Sequence, residues 1–566
     1  MNTILRKTVA IVVTLGLLLG SVSAFAAEAK PDTWIADRVI HVQAYVDDIG
    51  YSMPDDPMNT PVMQELKRLT GITIDFMYTP GENDRSVMAA QLATGDLPDL
   101  ILFYLNNSAR PEFPILYSAA KDGMFVNLTP MFENSTNLRC YTDPEWCPVD
   151  AYDNVMFRKD FNGACYIVQR GIENLGRKTP VVWKETTAHG GLYIQTAIVE
   201  DLGIDPTSIN TSEKLYELMK TIKEKDYKDV NGKSVIPLGP KYWGGSPDAA
   251  NYVVNDLHWG VSGNFNMTED GKILHEVETD YVFQKIDYFR KLMAEELVHK
   301  EYFTMDSTRA KELYENKSAA IISDVHGGEQ IIWGSYDWTP LGNIADYKGN
   351  TWELTSGAGG YGGWAIPATT ENPEEVFALM DFLSGEQGYK LFTYGVEGVH
   401  YTYDDKGWIV PSDEVRECII NGDGKTLQNI GANFNGSGEY GMGYMLTKYP
   451  DKTAFAPDDW SWTGSGENDE AGERLRYLSK TFPGTYYVYE GLTANSFMGE
   501  LPEFQNQFNL LNYNDRFAQA VFAKDDAQVQ QIVESFRNQL KAAGIEEYEK
   551  LVEEKYQANP DSVFVY

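Results

Sequence analysis

Residues 60–77, TPVMQELKRLTGITIDFM, read as a helix followed directly by a strand. Thr60 suits the N-cap, and Pro61 suits the first helical position because no N–H is needed there. Gly71 is expected to end the helix in a left-handed conformation. Apolar and polar residues then alternate from Ile72 to Met77, which predicts a strand with one face in the core.

The same order repeats immediately afterwards, which predicts an α/β lobe. Asp84 to Thr94 is the second expected helix, ended by Gly95, and Pro98 prevents it from resuming. The apolar run Leu100 to Phe103 then suits a strand buried on both faces. Because open α/β sheets bind ligands beyond the carboxyl ends of their strands, residues that follow these strands are the first site candidates.

Four stretches carry a resemblance to a known family: LTGITID at 69–75, ATGDLPDLIL at 93–102, DFLSGEQG at 381–388 and YGVEGVHY at 394–401. They resemble motifs of the extracellular solute-binding proteins of ABC importers (family 1, maltose-binding-protein-like). The resemblance implies an α/β, two-lobed, periplasmic-binding-protein-like fold of type II, whose lobes are discontinuous in sequence and joined by hinge segments. It also implies capture of a carbohydrate, expected to be an oligosaccharide, and its delivery to membrane permease subunits.

The resemblance suggests how the chain divides between the lobes. A signal peptide is expected at 1–26. The first lobe is expected to comprise 27–183 and 339–385, and the second 184–338 and 386–566.

The charge balance narrows the range of partners. The 566 residues contain 47 Lys and Arg against 83 Asp and Glu, a formal net charge of −36. Nucleic acid is disfavoured, since the sequence has no dense basic run to bind a polyanion. The acid excess suits solubility outside the cell, and a monomer is expected.

The first residues indicate export. Arg6 and Lys7 precede an apolar run at 8–20, and Ala24-Phe-Ala26 offers small residues for a signal peptidase, so cleavage is predicted after Ala26. A membrane anchor is the alternative, but the run is shorter than the ~20 residues that a spanning helix requires. The first cysteine is Cys140, so no lipobox and no lipid anchor are expected.

Metals and cofactors are not expected. The loop KDYKDVNGK at 225–233 has oxygen donors but lacks a distal acid, so a solvated turn is favoured over a calcium site. Cys140, Cys147, Cys165 and Cys418 are either free thiols or include one local bridge between Cys140 and Cys147. Both readings stay open.

A sugar-binding cleft needs aromatic faces for pyranose C–H patches and polar groups for the hydroxyls. Residues at strand ends or beside glycines supply both, and the ligand-binding candidates are Tyr45, Asp47, Asp48, Tyr104, Asn107, Trp243, Trp259, His326, Tyr361 and Trp364. In maltose-binding-protein-like relatives, positions matching Tyr104 and Trp243 hold sugar contacts. For any single tryptophan, core packing is the competing interpretation. Trp460 and Trp462 are equally compatible with cleft closure and with packing.

Enzyme motifs are mostly absent: the sequence has no H-E-x-x-H, no G-x-S-x-G and no G-x-x-x-x-G-K-[ST]. A binding protein rather than an enzyme is therefore expected. A secreted carbohydrate-active hydrolase is one alternative, because two carboxylates suffice for a glycosidase. A peptide-binding transport protein is the other.

Overall fold

The computed structural model describes residues 30–45, 54–78, 84–105, 113–147, 151–170, 172, 191–241, 264–268, 270–324, 338–342, 344–346, 349–355, 362–405, 407, 409–421, 423–431, 485–489, 494–558 and 563–565. Its strands are β1 (Arg38–Tyr45), β2 (Ile72–Tyr78), β3 (Leu100–Tyr104), β4 (Val168–Gln169), β5 (Gly191–Gln195), β6 (Ile236–Lys241), β7 (Phe265–Met267), β8 (Ile273–His275), β9 (Ala319–Asp324), β10 (Trp338–Pro340), β11 (Thr351–Thr355), β12 (Gly362–Ala365), β13 (Tyr401–Tyr403), β14 (Ile409–Pro411), β15 (Thr485–Tyr489) and β16 (Val563–Val565). Its α-helices are α1 (Pro61–Thr70), α2 (Asp84–Thr94), α3 (Phe113–Lys121), α4 (Thr129–Phe132), α5 (Thr196–Leu202), α6 (Ser212–Lys225), α7 (Tyr281–Ala294), α8 (Ser307–Glu315), α9 (Pro373–Leu383), α10 (Glu386–Tyr394), α11 (Asp413–Asn421), α12 (Gly424–Ile430), α13 (Pro502–Leu510), α14 (Tyr513–Val521), α15 (Asp526–Ala543) and α16 (Ile545–Ala558).

The expected helix and strand pair around Gly71 is confirmed. Thr60 Oγ1 accepts the amide hydrogen of Met63 at the start of α1, and Gly71 ends the helix at φ 77°. A Cβ at Gly71 would also overlap the Ala36 carbonyl oxygen and the Trp34 ring. Glycine is therefore required there both by the backbone conformation and by the close approach of the preceding segment.

The first sheet has five strands in the order β2-β1-β3-β12-β4. β1 runs parallel to β2 and to β3, whereas β12 is antiparallel to β3 and β4. β4 comprises only Val168 and Gln169. The returning strand β12 therefore lies inside a sheet whose other strands come from the first part of the chain.

The second sheet has four strands in the order β10-β5-β9-β6. β6 and β9 are parallel, and β5 is antiparallel to both β9 and β10. A third, three-stranded sheet joins β11, β15 and β16. Since β11 follows the second sheet and precedes β12 along the chain, this third sheet lies on a crossover between the first two.

Two separate hydrophobic cores accompany the two main sheets, and we call each sheet with its core a lobe. The first core combines β1, β3, α1 and α3 with the later helices α9 and α10. The second core combines β5, β9, α6 and α7 with the C-terminal helices α13 to α16. Both cores are thus assembled from segments that are distant in sequence.

Two of the expected lobe boundaries differ from this arrangement. The sequence assigns residues from 339 onward to the first lobe, but Thr339 pairs with Ile194 in the second sheet. It assigns residues from 386 onward to the second lobe, but Leu391 and Phe392 of α10 lie in the first core. In both cases the partner is far away along the chain, and no local pattern identifies it.

Candidate functional site

The carboxyl edge of the first sheet brings four strand ends together. β1 ends at Tyr45 and β3 at Tyr104, and the register places Tyr45 beside Phe103 and Tyr104 beside Gly362. The amide of Arg170, the residue after β4, donates to the Gly362 carbonyl at 2.8 Å. The strand-end rule therefore predicts this edge as the ligand-facing one.

Tyr45 lies at this edge but its side chain is covered. The residue is 2% exposed, and its hydroxyl donates to Gln91 Oε1 of α2 at 2.5 Å. Gln91 in turn donates to Gln43 Oε1 at 3.1 Å. Burial, and secondarily the negative charge of Asp96, raises the pKa of Tyr45, so the phenol stays neutral. The side chain stabilises the packing of α2 on the sheet.

Tyr104 and Trp364 are also buried, at 2% and 0% exposed. Trp364 pairs with Leu102 and Val168 on the sheet and packs edge to face against Phe377 of α9, with ring centroids 6.0 Å apart. In this conformation Trp364 is a core residue of the first lobe. Ligand contact by Tyr45, Tyr104 and Trp364 stays a prediction.

The other seven candidates, Asp47, Asp48, Asn107, Trp243, Trp259, His326 and Tyr361, lie outside the described residues. Several of them adjoin described strand ends along the chain: Asp47 follows β1, Asn107 follows β3 and Tyr361 precedes β12. Their assignment to a site rests on the sequence.

The second sheet has a comparable carboxyl edge. The parallel strands β6 and β9 end at Lys241 and Asp324, and Lys241 pairs in register with Ser323. Trp243 and His326 each come two residues after one of these strands. The strand-end prediction for the second lobe therefore concerns the residues that follow Lys241 and Asp324.

Two basic residues at these edges are absent from the sequence-based candidates. Arg170 follows β4 and Lys241 ends β6, one in each lobe. The signal that identifies them is their position, because Arg170 directly follows β4 and Lys241 ends β6. The aromatic and amide side chains typical of a sugar cleft do not include these charged residues. A guanidinium offers a planar fork that matches carboxylates.

The loop considered for calcium is closed by its own hydrogen bonds. Asp229 Oδ1 accepts from the amides of Asn231 and Lys233 at 2.8 and 2.9 Å. Its Oδ2 accepts from Ser318 Oγ at 2.7 Å, and these bonds lower the pKa of the Asp229 carboxyl. Asp226 pairs with Lys228 at 2.6 Å. Within the described ranges, no three His, Cys, Asp or Glu residues form a group that could hold a metal ion.

The cysteine alternatives are now distinguished. Cys140, Cys147, Cys165 and Cys418 are all free thiols. Burial raises the pKa of Cys140 to about 11, so this half-buried thiol is not a reactive thiolate at neutral pH.

The described part of the chain contains no helix with both the length and the apolar character needed to cross a membrane. The expected signal peptide at 1–26 precedes the first described residue.

Comparison with known proteins places this architecture. Residues 166–390 match the family model described as bacterial extracellular solute-binding protein. Lipoprotein LipO of Bacillus subtilis (strain 168) is 22% identical over 369 residues, which span 62% of this chain and 66% of that protein. The polygalacturonan/rhamnogalacturonan-binding protein YtcQ of the same organism is 21% identical over 493 residues, 82% of this chain and 89% of YtcQ.

A solved structure shares the fold over nearly the whole chain. The calcium-free crystal structure of the alginate-binding protein AlgQ2 superposes with a TM-score of 0.62 at 18% identity, covering 93% of this chain and 100% of AlgQ2. The family model, the two relatives and this shared two-lobed fold agree with one another. Residues 166–390 therefore resemble the bacterial extracellular solute-binding proteins, and the chain has the type II, two-lobed α/β fold of the solved structures that it matches.

Proposed function

We propose that this protein binds an oligosaccharide between its two lobes outside the cell and presents it to the permease subunits of an ABC importer. The match of residues 166–390 to the extracellular solute-binding protein family supports the binding role. A glycan ligand is supported by two similar proteins, one of which binds polygalacturonan and rhamnogalacturonan and the other alginate.

The observation that carries the proposal is the convergence of strand ends in each lobe. In the first lobe, Tyr45, Tyr104, Gly362 and Arg170 lie along one sheet edge. In the second lobe, β6 and β9 end side by side. A ligand that contacts both edges binds the closed arrangement more tightly than the open one, and this difference in affinity drives closure.

The basic residues at both edges favour an acidic oligosaccharide as the first ligand to test. Arg170 and Lys241 are positive charges at the proposed cleft edges of a protein whose formal net charge is −36. Uronic acid units carry a carboxylate that a guanidinium binds through two hydrogen bonds. Polygalacturonate and alginate are both polymers of such units.

The test is calorimetric titration of the purified protein with galacturonate oligomers and, separately, with maltotetraose as a neutral probe. Saturable binding of the acidic oligomers is the expected result. A matched Arg170→Met variant should lose about tenfold or more in affinity for them, since charge-assisted hydrogen bonds contribute about 1.5–3 kcal/mol. Binding of a peptide library in place of any oligosaccharide would contradict the proposal.

The same samples separate binding from hydrolysis. Reducing ends should not increase during incubation with the bound oligomer. Steady release of reducing ends by protein freed of contaminating enzymes would instead favour the secreted hydrolase.

Two aromatic substitutions test the proposed contacts. Trp243→Ala is expected to weaken binding by about 2 kcal/mol, roughly thirtyfold, without changing the unfolding of the ligand-free protein. A different result is expected for Tyr104, because its side chain is buried in the first core. Tyr104→Ala should lower the free energy of unfolding by about 3–5 kcal/mol, as truncation of a core aromatic does. If the unfolding midpoint of Tyr104→Ala equals that of the parent, the Tyr104 side chain faces the cleft and is not part of the core.

Export is proposed with cleavage after Ala26 and without an acyl chain, since Ala26-Ala27 stands where lipoproteins carry a cysteine. Intact mass of the mature protein tests this. A mature species with a diacylglycerol-modified cysteine would refute it.

A further inference from the structure

Within the described residues, one of the contacts between the two lobes is made by a buried arginine. Arg158 follows the π-helical turn Tyr152–Met156 of the first lobe and is 5% exposed. Its Nη1 donates to the Asn154 carbonyl at 2.6 Å, and its Nη2 donates to the Gly499 carbonyl of the second lobe at 3.2 Å. One guanidinium therefore binds main-chain oxygens from both lobes.

The guanidinium is also enclosed by aromatic rings. It lies 4.5 Å from the Tyr117 ring centroid and 5.6 Å from that of Phe113, both in α3. Nε donates to Asp160 Oδ1 at 3.3 Å. Burial lowers the pKa of Arg158 to about 10, so the side chain remains protonated at neutral pH. We call Arg158, Asn154, Gly499 and these two rings the Arg158 joint.

Each half of the joint is fixed to its own lobe. On the first-lobe side, Val155 and Met156 are fully buried and belong to the first core. On the second-lobe side, Phe497 and Met498 lie in the second core, and the Tyr548 hydroxyl donates to the Ala494 carbonyl. Each half of the joint therefore moves together with its own lobe, and any movement at the joint takes place at the contact between Arg158 and Gly499.

Charged side chains surround the joint on its exposed side. Lys121 lies 3.8 Å from Asp160, and Lys555 pairs with Glu500. Burial, and then the nearby charge of Glu500, raises the pKa of Asp160. The acids of the two lobes are thus close enough to interact, and each is accompanied by a basic group of its own lobe.

We propose that the Arg158 joint is the fixed pivot about which the lobes rotate, closed both without and with ligand. Opening it would separate the buried guanidinium from the Gly499 carbonyl and leave one of its hydrogen bonds unmade. Interlobe movement costs less free energy at positions where no buried, charged hydrogen bond has to be broken. Arg158 is then a positioning residue, because it sets the orientation in which the strand-end edges meet without itself touching the ligand.

Hydrogen exchange on the parent protein gives the first test. Amides of 152–158 and 494–500 should be protected to the same extent with and without ligand, since a pivot does not open. Rapid exchange of these segments in the ligand-free protein would refute the proposal, and this arm needs neither a variant nor a known ligand.

Spin-label distances give the second test. Labels placed through a ketone-bearing amino acid at the exposed Glu217 of α6 and Glu374 of α9 leave the native thiols unmodified. In ligand-free Arg158→Met the distance distribution between these labels should broaden and shift. Arg158→Lys keeps the charge but loses the planar fork, so its distribution should fall between those of Arg158→Met and the parent. Arg68→Met, which alters a 59% exposed arginine of the first lobe, is the matched control and should match the parent.

Ligand affinity is the third readout, and only this one rests on the proposed function. A loosened pivot lowers the fraction of molecules with correctly opposed lobes, so Arg158→Met should bind the galacturonate oligomer about tenfold more weakly. An unchanged distance distribution in Arg158→Met would refute the pivot even if the variant were less stable. If the variant does not fold, hydrogen exchange on the parent decides. If no oligosaccharide binds the parent, the proposed function fails while exchange and distances still decide on the pivot.

Discussion

Each core includes segments that come late in the chain: α9 and α10 in the first lobe, and α13 to α16 in the second. Different polar contacts hold these late segments in the two lobes. In the first lobe, β12 and α9 return to an apolar core, and the polar contacts of α9 lie at the periphery of that core. There Asp381 accepts from Ser135 Oγ and from the amides of 136–138. Arg38 of β1 bridges Asp99 and Glu375 at 2.7 and 3.0 Å. None of these groups is deeply buried.

In the second lobe, the polar groups that contact the C-terminal helices include a buried ion pair. Lys285 of α7 and Glu276, each with 2% of its side chain exposed, are 3.0 Å apart, and Tyr513 of α14 donates to Glu276 at 2.6 Å. Glu549 of α16 accepts the amide hydrogen of His275 at 2.8 Å. Buried ion pairs seldom add net stability, but removing one partner is costly. The C-terminal helices are thus held in one specific position. Substitution of a polar group there should lower the free energy of unfolding more than substitution of a peripheral group in the first lobe.

The largest effect is expected from Lys285→Met. It leaves the Glu276 carboxylate buried without its cation, which should lower the free energy of unfolding by about 3–5 kcal/mol. Urea unfolding measures this. Lys272→Met, which removes the exposed lysine of the Lys272–Asp270 pair, is the control and should cost less than about 1 kcal/mol. Equal losses in the two variants would remove the contrast between buried and peripheral charges.

The next effect concerns pH. Burial and the hydrogen bond with Glu278 raise the pKa of Glu549 to about 9. The unfolded carboxyl ionises near 4.5, so the folded state holds the extra proton between these values, and stability falls as pH rises from 4.5 to 9. Glu549→Gln removes this dependence, so its stability relative to the parent should grow by up to about 1.4 kcal/mol per pH unit in that window.

Urea midpoints at pH 6, 7 and 8 measure this difference. Glu554→Gln on the same helix, with 62% of the side chain exposed, is the control and should follow the parent. Parallel curves for Glu549→Gln and the parent would show that Glu549 is ionised in the folded protein.

A smaller loss is expected from Asp381→Asn. One oxygen remains to accept hydrogen bonds, but the amide nitrogen faces backbone N–H groups, so about 2 kcal/mol should be lost. Asp413→Asn, at a carboxylate whose side chain is 97% exposed, should be neutral. Thermal unfolding of both variants is sufficient. If Asp381→Asn lowers the free energy of unfolding as much as Lys285→Met does, the polar contacts of the two lobes do not differ in their contribution to stability.

The smallest effect belongs to Arg38→Met. Its two carboxylate partners stay partly solvated, so about 1 kcal/mol is expected, and added salt should reduce the difference from the parent. Measurement at low and high salt checks this. A loss of several kcal/mol that is independent of salt would indicate a buried ion pair instead.

Local elements could be predicted from the sequence because their signals are local. The cap at Thr60, the stop at Gly71 and the helix Asp84–Thr94 agree with the structure. The pairing of strands and the packing of helices could not be predicted from local signals. Thr339 pairs with Ile194, and α10 packs in the first core, and no local pattern identifies these partners because they are distant in sequence.

The candidate site was predicted in part for the same reason. Strand ends could be located, but the direction of a side chain at a strand end depends on the register and on the helix above it. Tyr45 therefore contacts Gln91, and Trp364 contacts Phe377. The joint between Arg158 and Gly499 has no sequence signal, since one partner is a backbone carbonyl.

The position of β12 also sets the order in which the protein can fold. β12 lies between β3 and β4, yet residues 362–365 are synthesised long after both neighbours. Until they emerge, the first sheet has a gap between β3 and β4, and the two strand edges that face this gap are unpaired and prone to pairing with other chains. The second core likewise waits for the helices of 502–558. Neither lobe can be completed early in synthesis, and such long-range closure is intrinsically slow.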